Sequence, residues 1–252
     1  MNYNVLWTGG WDSTYRILDL VLNKKQTIQP YYVKDTGRKS TSLEIETMEK
    51  IKNLIYIIDE DASTRILDTI FIEIEKIPID LKMKEYWKQL LKESHLGSQY
   101  YWLSSYVIYE GISNIELCIH KDDKAEWFIR NNVSFIEEEN GGGYYKLSEI
   151  SETNPLNLFS SFTFPLLSMT KTEMGERANA NGFAHIMEVT WFCFNPTSKG
   201  TPCGICNPCL YTREEGLGRR VPKAYLRRCI LRLSKLKGKI SKKLKSSCKL
   251  DF

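Results

Sequence analysis

Val5-Leu6-Trp7-Thr8-Gly9-Gly10-Trp11-Asp12-Ser13-Thr14 is the stretch that decides the fold. An apolar run ends in two glycines, and residues 12–23 follow with Leu18, Val21 and Leu22 at helical spacing. The pattern predicts strand, tight turn, helix. Glycine allows positive φ and lets backbone approach a ligand closely. A loop that runs into a helix start points N–H groups outward, and the helix adds about half a positive charge there. Such a turn holds an anion, and phosphate is the expected one. Thr8, Ser13 and Thr14 offer hydroxyls to phosphate oxygens, and Asp12 either caps the helix or helps to hold Mg²⁺. No Gly-Lys-Ser/Thr follows, so this is not a Walker loop.

Outward from that turn, apolar runs and helical stripes alternate. Residues 28–33 predict a second strand, and residues 42–58 a helix with Met48, Ile51, Ile55 and Ile58 on one stripe. Residues 66–74 and 115–119 predict further strands, and residues 81–91 and 98–109 further helices. Residues 133–136 and 144–147 predict a hairpin or a loose insert. Thr170 with Glu173 three residues on predicts a capped helix start. Strands alternating with helices predict a mostly parallel sheet flanked by helices.

Four of the seven cysteines form Cys193-x9-Cys203-x2-Cys206-x2-Cys209. Reduced thiols in CxxC turns deliver soft ligands in pairs, which suits tetrahedral zinc. With all four positions filled the metal is expected to be structural; an iron–sulfur cluster takes the same ligands. Cys118 sits in an apolar run and is expected in the core. His95, His120 and His185 stand alone and are expected to be structural or at the surface, His95 being the best placed for a substrate. Tyr100, Tyr101 and Trp102 are expected in the core.

Thr8-Gly9-Gly10-Trp11-Asp12-Ser13 resembles the PP-loop of N-type ATP pyrophosphatases, with Thr8 in place of the usual first serine. The segments 165–173, 188–193 and 202–210 resemble those of 7-cyano-7-deazaguanine synthase within that superfamily. The resemblance implies the adenine nucleotide α-hydrolase-like fold, with a small C-terminal zinc subdomain. It further implies an ATP-dependent ligase that adenylates a carboxylate, releases pyrophosphate and forms a C–N bond. By the same resemblance Trp7, Thr8, Gly9, Gly10, Asp12, Ser13 and Thr14 bind ATP. Asp12, Ser13 and Lys171 would be catalytic, with Lys171 steadying the departing pyrophosphate. Implied organisation is residues 1–185 for nucleotide binding, 186–218 for zinc and 219–252 as a basic tail. In the middle the chain departs from the family: Asp35-Thr36-Gly37-Arg38-Lys39 lacks the usual glutamine and histidine. Leu96-Gly97-Ser98-Gln99-Tyr100 replaces a Pro-Gly-Arg-Asn string, and residues 119–132 lack the acidic, proline-containing substrate segment. Activation chemistry is therefore expected to persist with an altered acceptor.

The net charge of +4 conceals −8 over residues 1–218 and +12 over residues 219–252. The basic tail, with Leu226, Ile230, Leu233, Leu236 and Ile240 at helical spacing, could meet nucleic acid, an acidic protein or an anionic membrane surface. That leaves a tRNA-modifying PP-loop enzyme and a nucleotide-binding module without turnover as rival readings. A homodimer is compatible with either. Residues 1–7 are too short for a secretory leader and no apolar run reaches membrane-spanning length, so a cytoplasmic protein is expected.

Overall fold

The computed structural model describes residues 2–138 and 141–223. The basic tail expected over 219–252 lies outside the described residues from 224 onward. Two compact units divide the chain, Met1–Trp191 and Phe192–Phe252.

The first unit holds a seven-stranded sheet in the order β3-β2-β1-β4-β7-β6-β5. Its strands are β1 (Tyr3–Leu6), β2 (Ile28–Lys34), β3 (Ile70–Glu73), β4 (Ile115–Glu116), β5 (Val133–Glu137), β6 (Gly143–Leu147) and β7 (Phe162–Phe164). β3, β2, β1, β4 and β7 run parallel, and the β5–β6 hairpin extends the sheet antiparallel beyond β7. The mostly parallel sheet and its hairpin edge are thus as the sequence pattern predicts.

Helices α1 (Trp11–Leu18), α2 (Thr41–Ile58), α3 (Glu60–Thr64), α4 (Leu81–Glu93), α5 (Gln99–Tyr109), α6 (Glu126–Ile129), α7 (Lys171–Ala180) and α8 (Ala184–Met187) complete the unit. α1 runs on through a π-helical turn, Asp19–Asn23, so the predicted helix spans its expected length. On α2 the stripe is buried at Met48, Ile51 and Ile55, whereas Ile58 at the last turn is 47% exposed. The strand expected over 66–74 is confined to β3, with Ile66 making one isolated bridge to Ile28. β4 is likewise only two residues long; Leu117 N–H still donates to the Thr163 carbonyl of β7 at 2.9 Å, and beyond it Ile119 N–H turns back to the Leu117 carbonyl at 2.7 Å.

The apolar core joins Ile115, Phe162 and Phe164 of the strands to Leu103 and Val107 of α5 and to Leu158 and Phe159. From β1 the chain steps outward through β2 to β3, then returns to β4 on the other side of β1. Between β1 and β4 lies the switch point, where open α/β sheets bind ligands beyond the strands' carboxyl ends.

Candidate active site and metal centre

At the end of β1 the turn is built around two glycines with different tasks. Gly9 has φ +67° and is buried, and a Cβ there would stand 3.2 Å from both the Glu44 carbonyl and Thr47 Cγ2. α2 therefore packs directly against the turn, and only glycine permits both that conformation and that approach. The Gly9 carbonyl accepts a hydrogen bond from the Trp191 amide at 2.8 Å. Gly10 is the N-cap of α1, with extended φ −77°. The first intrahelical bond runs from Thr14 N–H to the Gly10 carbonyl at 3.0 Å. Amides ahead of it point out of the helix start without an intrahelical acceptor, the arrangement that receives an anion.

Within the predicted set the side chains divide. Thr8 is exposed beside Gly10. Trp7 is fully buried, and its indole N–H donates to the equally buried Thr14 Oγ1 at 3.0 Å. The Thr14 hydroxyl, expected to face phosphate, is instead turned inward, where Trp7 and Thr14 brace the turn from below. The reason is steric: a tryptophan at the strand end fills the space under α1 and needs an acceptor there. Ser13, 8% exposed, lies in the first turn. Asp12 does not cap α1. Its Oδ2 lies 3.5 Å from Lys171 Nζ and 3.7 Å from His120 Nδ1. Its Oδ1 is buried with no hydrogen-bond partner among the described residues. A carboxylate oxygen left in that state fits a hard cation such as Mg²⁺.

Lys171 begins α7, whose N-terminus carries the predicted capping box: Thr170 Oγ1 accepts from Glu173 N–H, and Glu173 Oε2 accepts from Thr170 N–H. Trp11 Nε1 donates to the Lys171 carbonyl at 3.2 Å, and its ring lies against Gly175, where a Cβ would come within 3.4 Å. That contact fixes Lys171 relative to the turn although 160 residues separate it from Trp11.

β4 contributes what the sequence alone did not reveal. Just past it, His120 is 3% exposed, so of the two expected places, structural or surface, it takes the buried one, and it stands near Asp12 at 3.7 Å and Asp123 Oδ2 at 3.9 Å. Burial pushes the Asp123 carboxyl up from the usual range, although the bond it accepts from Ala125 N–H pulls it back. Cys118, expected in the core, is only partly buried. Burial pushes its thiol well up, with Glu116 adding to the rise. Arg16 anchors α1 to β4 through a buried two-pronged pair with Glu116, at 2.8 and 2.6 Å. Tyr100 and Tyr101 pack on Phe159 and Trp87, as expected for core aromatics. The positional signal for His120 was its place just past a predicted strand, where βα loops carry function.

In the second unit the four cysteines converge, their sulfurs all within 4.8 Å of one another. Cys193–Cys206, Cys203–Cys209 and Cys206–Cys209 lie 3.8, 3.9 and 3.4 Å apart. A tetrahedron with metal–sulfur bonds of about 2.3 Å has edges of about 3.8 Å. Amides of Cys203 and Cys206 donate to the sulfurs of Cys193 and Cys203 at 3.2 and 3.3 Å. Gly204, with φ +75°, makes the turn between the CxxC cysteines possible. Arg213 holds its carbonyl at 3.1 Å, from just beyond α9 (Asn207–Thr212). The hydrogen bond with Cys209 holds the Cys193 thiol down at about 5, while the same contact pushes Cys209 up. A soft divalent cation binds thiolates, so its binding would draw protons off the four cysteines.

A mostly parallel sheet with its switch point at a Gly-Gly turn and an Asp12–Lys171 pair beside it define an α/β fold of the PP-loop kind, and four cysteines converge further along the chain. Residues 103–220 match the family model described as queuosine biosynthesis protein QueC, which bears out the resemblance to 7-cyano-7-deazaguanine synthases over that span. The matched segment runs from α5 through β4, β7 and Lys171 to the cysteines, and it does not include the Gly9–Gly10 turn. That family consists of ATP-dependent enzymes. A comparison with curated proteins finds no match.

Proposed function

We propose that the protein is an ATP-dependent ligase that adenylates a carboxylate, releases pyrophosphate and joins nitrogen to the acyl carbon. The observation that carries this reading is the Lys171–Asp12 pair at 3.5 Å beside the open helix start of α1. ATP supplies the α-phosphorus that a carboxylate oxygen attacks as the α–β bridge to pyrophosphate breaks; ammonia then displaces AMP from the acyl carbon and loses a proton. Backbone amides of the turn bind the phosphates, and Gly10 leaves room for their approach. Lys171 neutralises charge that grows on the departing pyrophosphate, a task suited to a compact ammonium. Mg²⁺, if it joins the phosphates, would be held by Asp12 through Oδ1. Ser13 supplies a hydroxyl in the first turn of α1. Cys193, Cys203, Cys206 and Cys209 would hold zinc as a closed structural site with no position left for substrate.

The test is pyrophosphate and AMP release from ATP with 7-deazapurine carboxylic acids and ammonia. Lys171→Met should lower kcat about 100-fold while ATP affinity changes much less. Tight ATP binding with no AMP from any such acid would leave a nucleotide-binding module without turnover as the better account.

A further inference from the structure

We infer that β5, the outer strand of the sheet, pairs antiparallel with the same strand of a second copy of this chain, Phe135 facing Phe135 of the partner subunit across a two-fold axis. This holds whatever reaction the site performs. Among the described residues β5 ends the strand order and has β6 on one side only. Residues 134–137 are all exposed, Phe135 at 52% and Ile136 at 41%, so neither face of the strand is fully covered. Sheet edges that stay single are guarded by charge, proline or a bulge. At the opposite edge the β3 residue Phe71 has Lys34 Nζ over its ring at 4.3 Å. On β5, residues 133–136 include no charged residue and no proline, and the register with β6 is unbroken from Val133↔Leu147 to Glu137↔Gly143.

Two hydrogen bonds show which groups this edge offers. Ser148 N–H donates to the Asn132 carbonyl at 2.8 Å, and Glu138 N–H donates to the Gly142 carbonyl at 3.1 Å. Backbone groups alternate sides along a strand, so Asn132, Ser134, Ile136 and Glu138 face β6. Val133, Phe135 and Glu137 therefore turn theirs to the open side. Three outward residues centred on Phe135 make a self-complementary edge. An antiparallel copy sets Phe135 against Phe135 of the partner subunit and Val133 against Glu137 of the partner subunit. Each such pair exchanges both N–H···O=C bonds.

Charge selects a second copy and its direction. From Arg130 to Glu138 the chain reads Arg-Asn-Asn-Val-Ser-Phe-Ile-Glu-Glu, with a cation at one end and two acids at the other. Antiparallel pairing lays the acidic end of each strand toward the Arg130 end of its mate, whereas parallel pairing would set acids side by side. Directly opposite side chains share a face, so the two phenylalanines would meet with Cα atoms about 5.5 Å apart. Tyr145 already stands against Phe135, ring centroids 5.1 Å apart at 61°. Pairing thus makes a continuous row of edge-to-face rings across the axis. One short strand buries less than the roughly 1,200 Å² of a standard interface, so the dimer should be weak and concentration-dependent.

Sedimentation equilibrium of the full-length protein tests the pairing. Between about 1 and 300 µM the mass should rise from 29.3 kDa toward twice that, with a dissociation constant of about 30 µM. Phe135→Lys and Phe135→Glu should each raise that constant at least about tenfold, because like charges then face each other across the axis. An equimolar mixture of the two variants should restore it to near the wild-type value, since opposite charges then meet. If either variant melts early, hydrogen exchange of the wild type carries the test: the Val133, Phe135 and Glu137 amides should slow at least about fivefold from the dilute to the concentrated end. A monomer throughout, a dimer that both variants leave intact, or a mixture no tighter than its components overturns the pairing. So do outward amides already protected in the dilute monomer, which would mean that another segment of this chain covers the edge.

Discussion

Replacing each of the two turn glycines by alanine should produce opposite losses. At Gly9 the φ of +67° disfavours any residue with a Cβ by about 1–2 kcal/mol. The added methyl would also stand 3.2 Å from a backbone carbonyl of α2 and 3.2 Å from Thr47, so overpacking adds about 1–3 kcal/mol. Gly9→Ala should therefore lose about 3 kcal/mol, roughly 6–12 °C in Tm for a unit of this size. At Gly10 the φ of −77° suits alanine, and the nearest atom to a Cβ is Thr8 Oγ1 at 3.2 Å, an exposed hydroxyl that can rotate away. Gly10→Ala should keep Tm within about 2 °C, yet its methyl occupies the approach to the helix start and should weaken ATP binding at least tenfold. Urea unfolding and calorimetric titration with ATP on both variants measure the two effects. Equal stability in the two, or a destabilised Gly10→Ala with intact ATP binding, would refute this division of labour.

Thr14→Val should cost about 1–3 kcal/mol by leaving the buried Trp7 indole N–H without its acceptor, with ATP affinity unchanged; a tenfold loss of affinity at intact stability would restore the hydroxyl to the phosphates. Metal analysis should find about one zinc and no iron per chain. Cys206→Ser or a strong chelator should lower thermal stability, and an unaltered melting curve after zinc removal would speak against a structural site. Because burial raises the Asp123 carboxyl in the folded state, its contribution favours folding below the unfolded value near 3.9 and is lost as pH rises through the folded value. Asp123→Asn should therefore raise Tm at pH 7, with the gain shrinking as pH falls through the raised folded value toward about 4 and absent below it; a loss of stability at pH 7 would contradict the sign.

The turn after β1 was legible because strand, glycine pair and helix are adjacent, and local backbone preference fixes all three. The α7 capping box was legible for the same reason, since Thr170 and Glu173 are three residues apart. The cysteines were legible because their spacing is itself the constraint on the metal geometry. His120 was not, since nothing within several residues of it in the chain reports the carboxylate of Asp12 at 3.7 Å. Thr14 misled because a hydroxyl beside a phosphate turn reads as a ligand, and only the packing of Trp7 beneath α1 turns it inward.

By itself the sequence determined the alternating α/β order, the strand–Gly-Gly–helix turn and the cluster of four cysteines, since each follows from residue type and short-range spacing. Tertiary structure alone decided that Asp12, His120, Asp123 and Lys171 meet. The three segments that carry them leave β1, β4 and β7, neighbours in the sheet but more than 150 residues apart at the extremes. Parallel strand order, which brings distant carboxyl ends to one edge, is what converts that separation into a few ångströms.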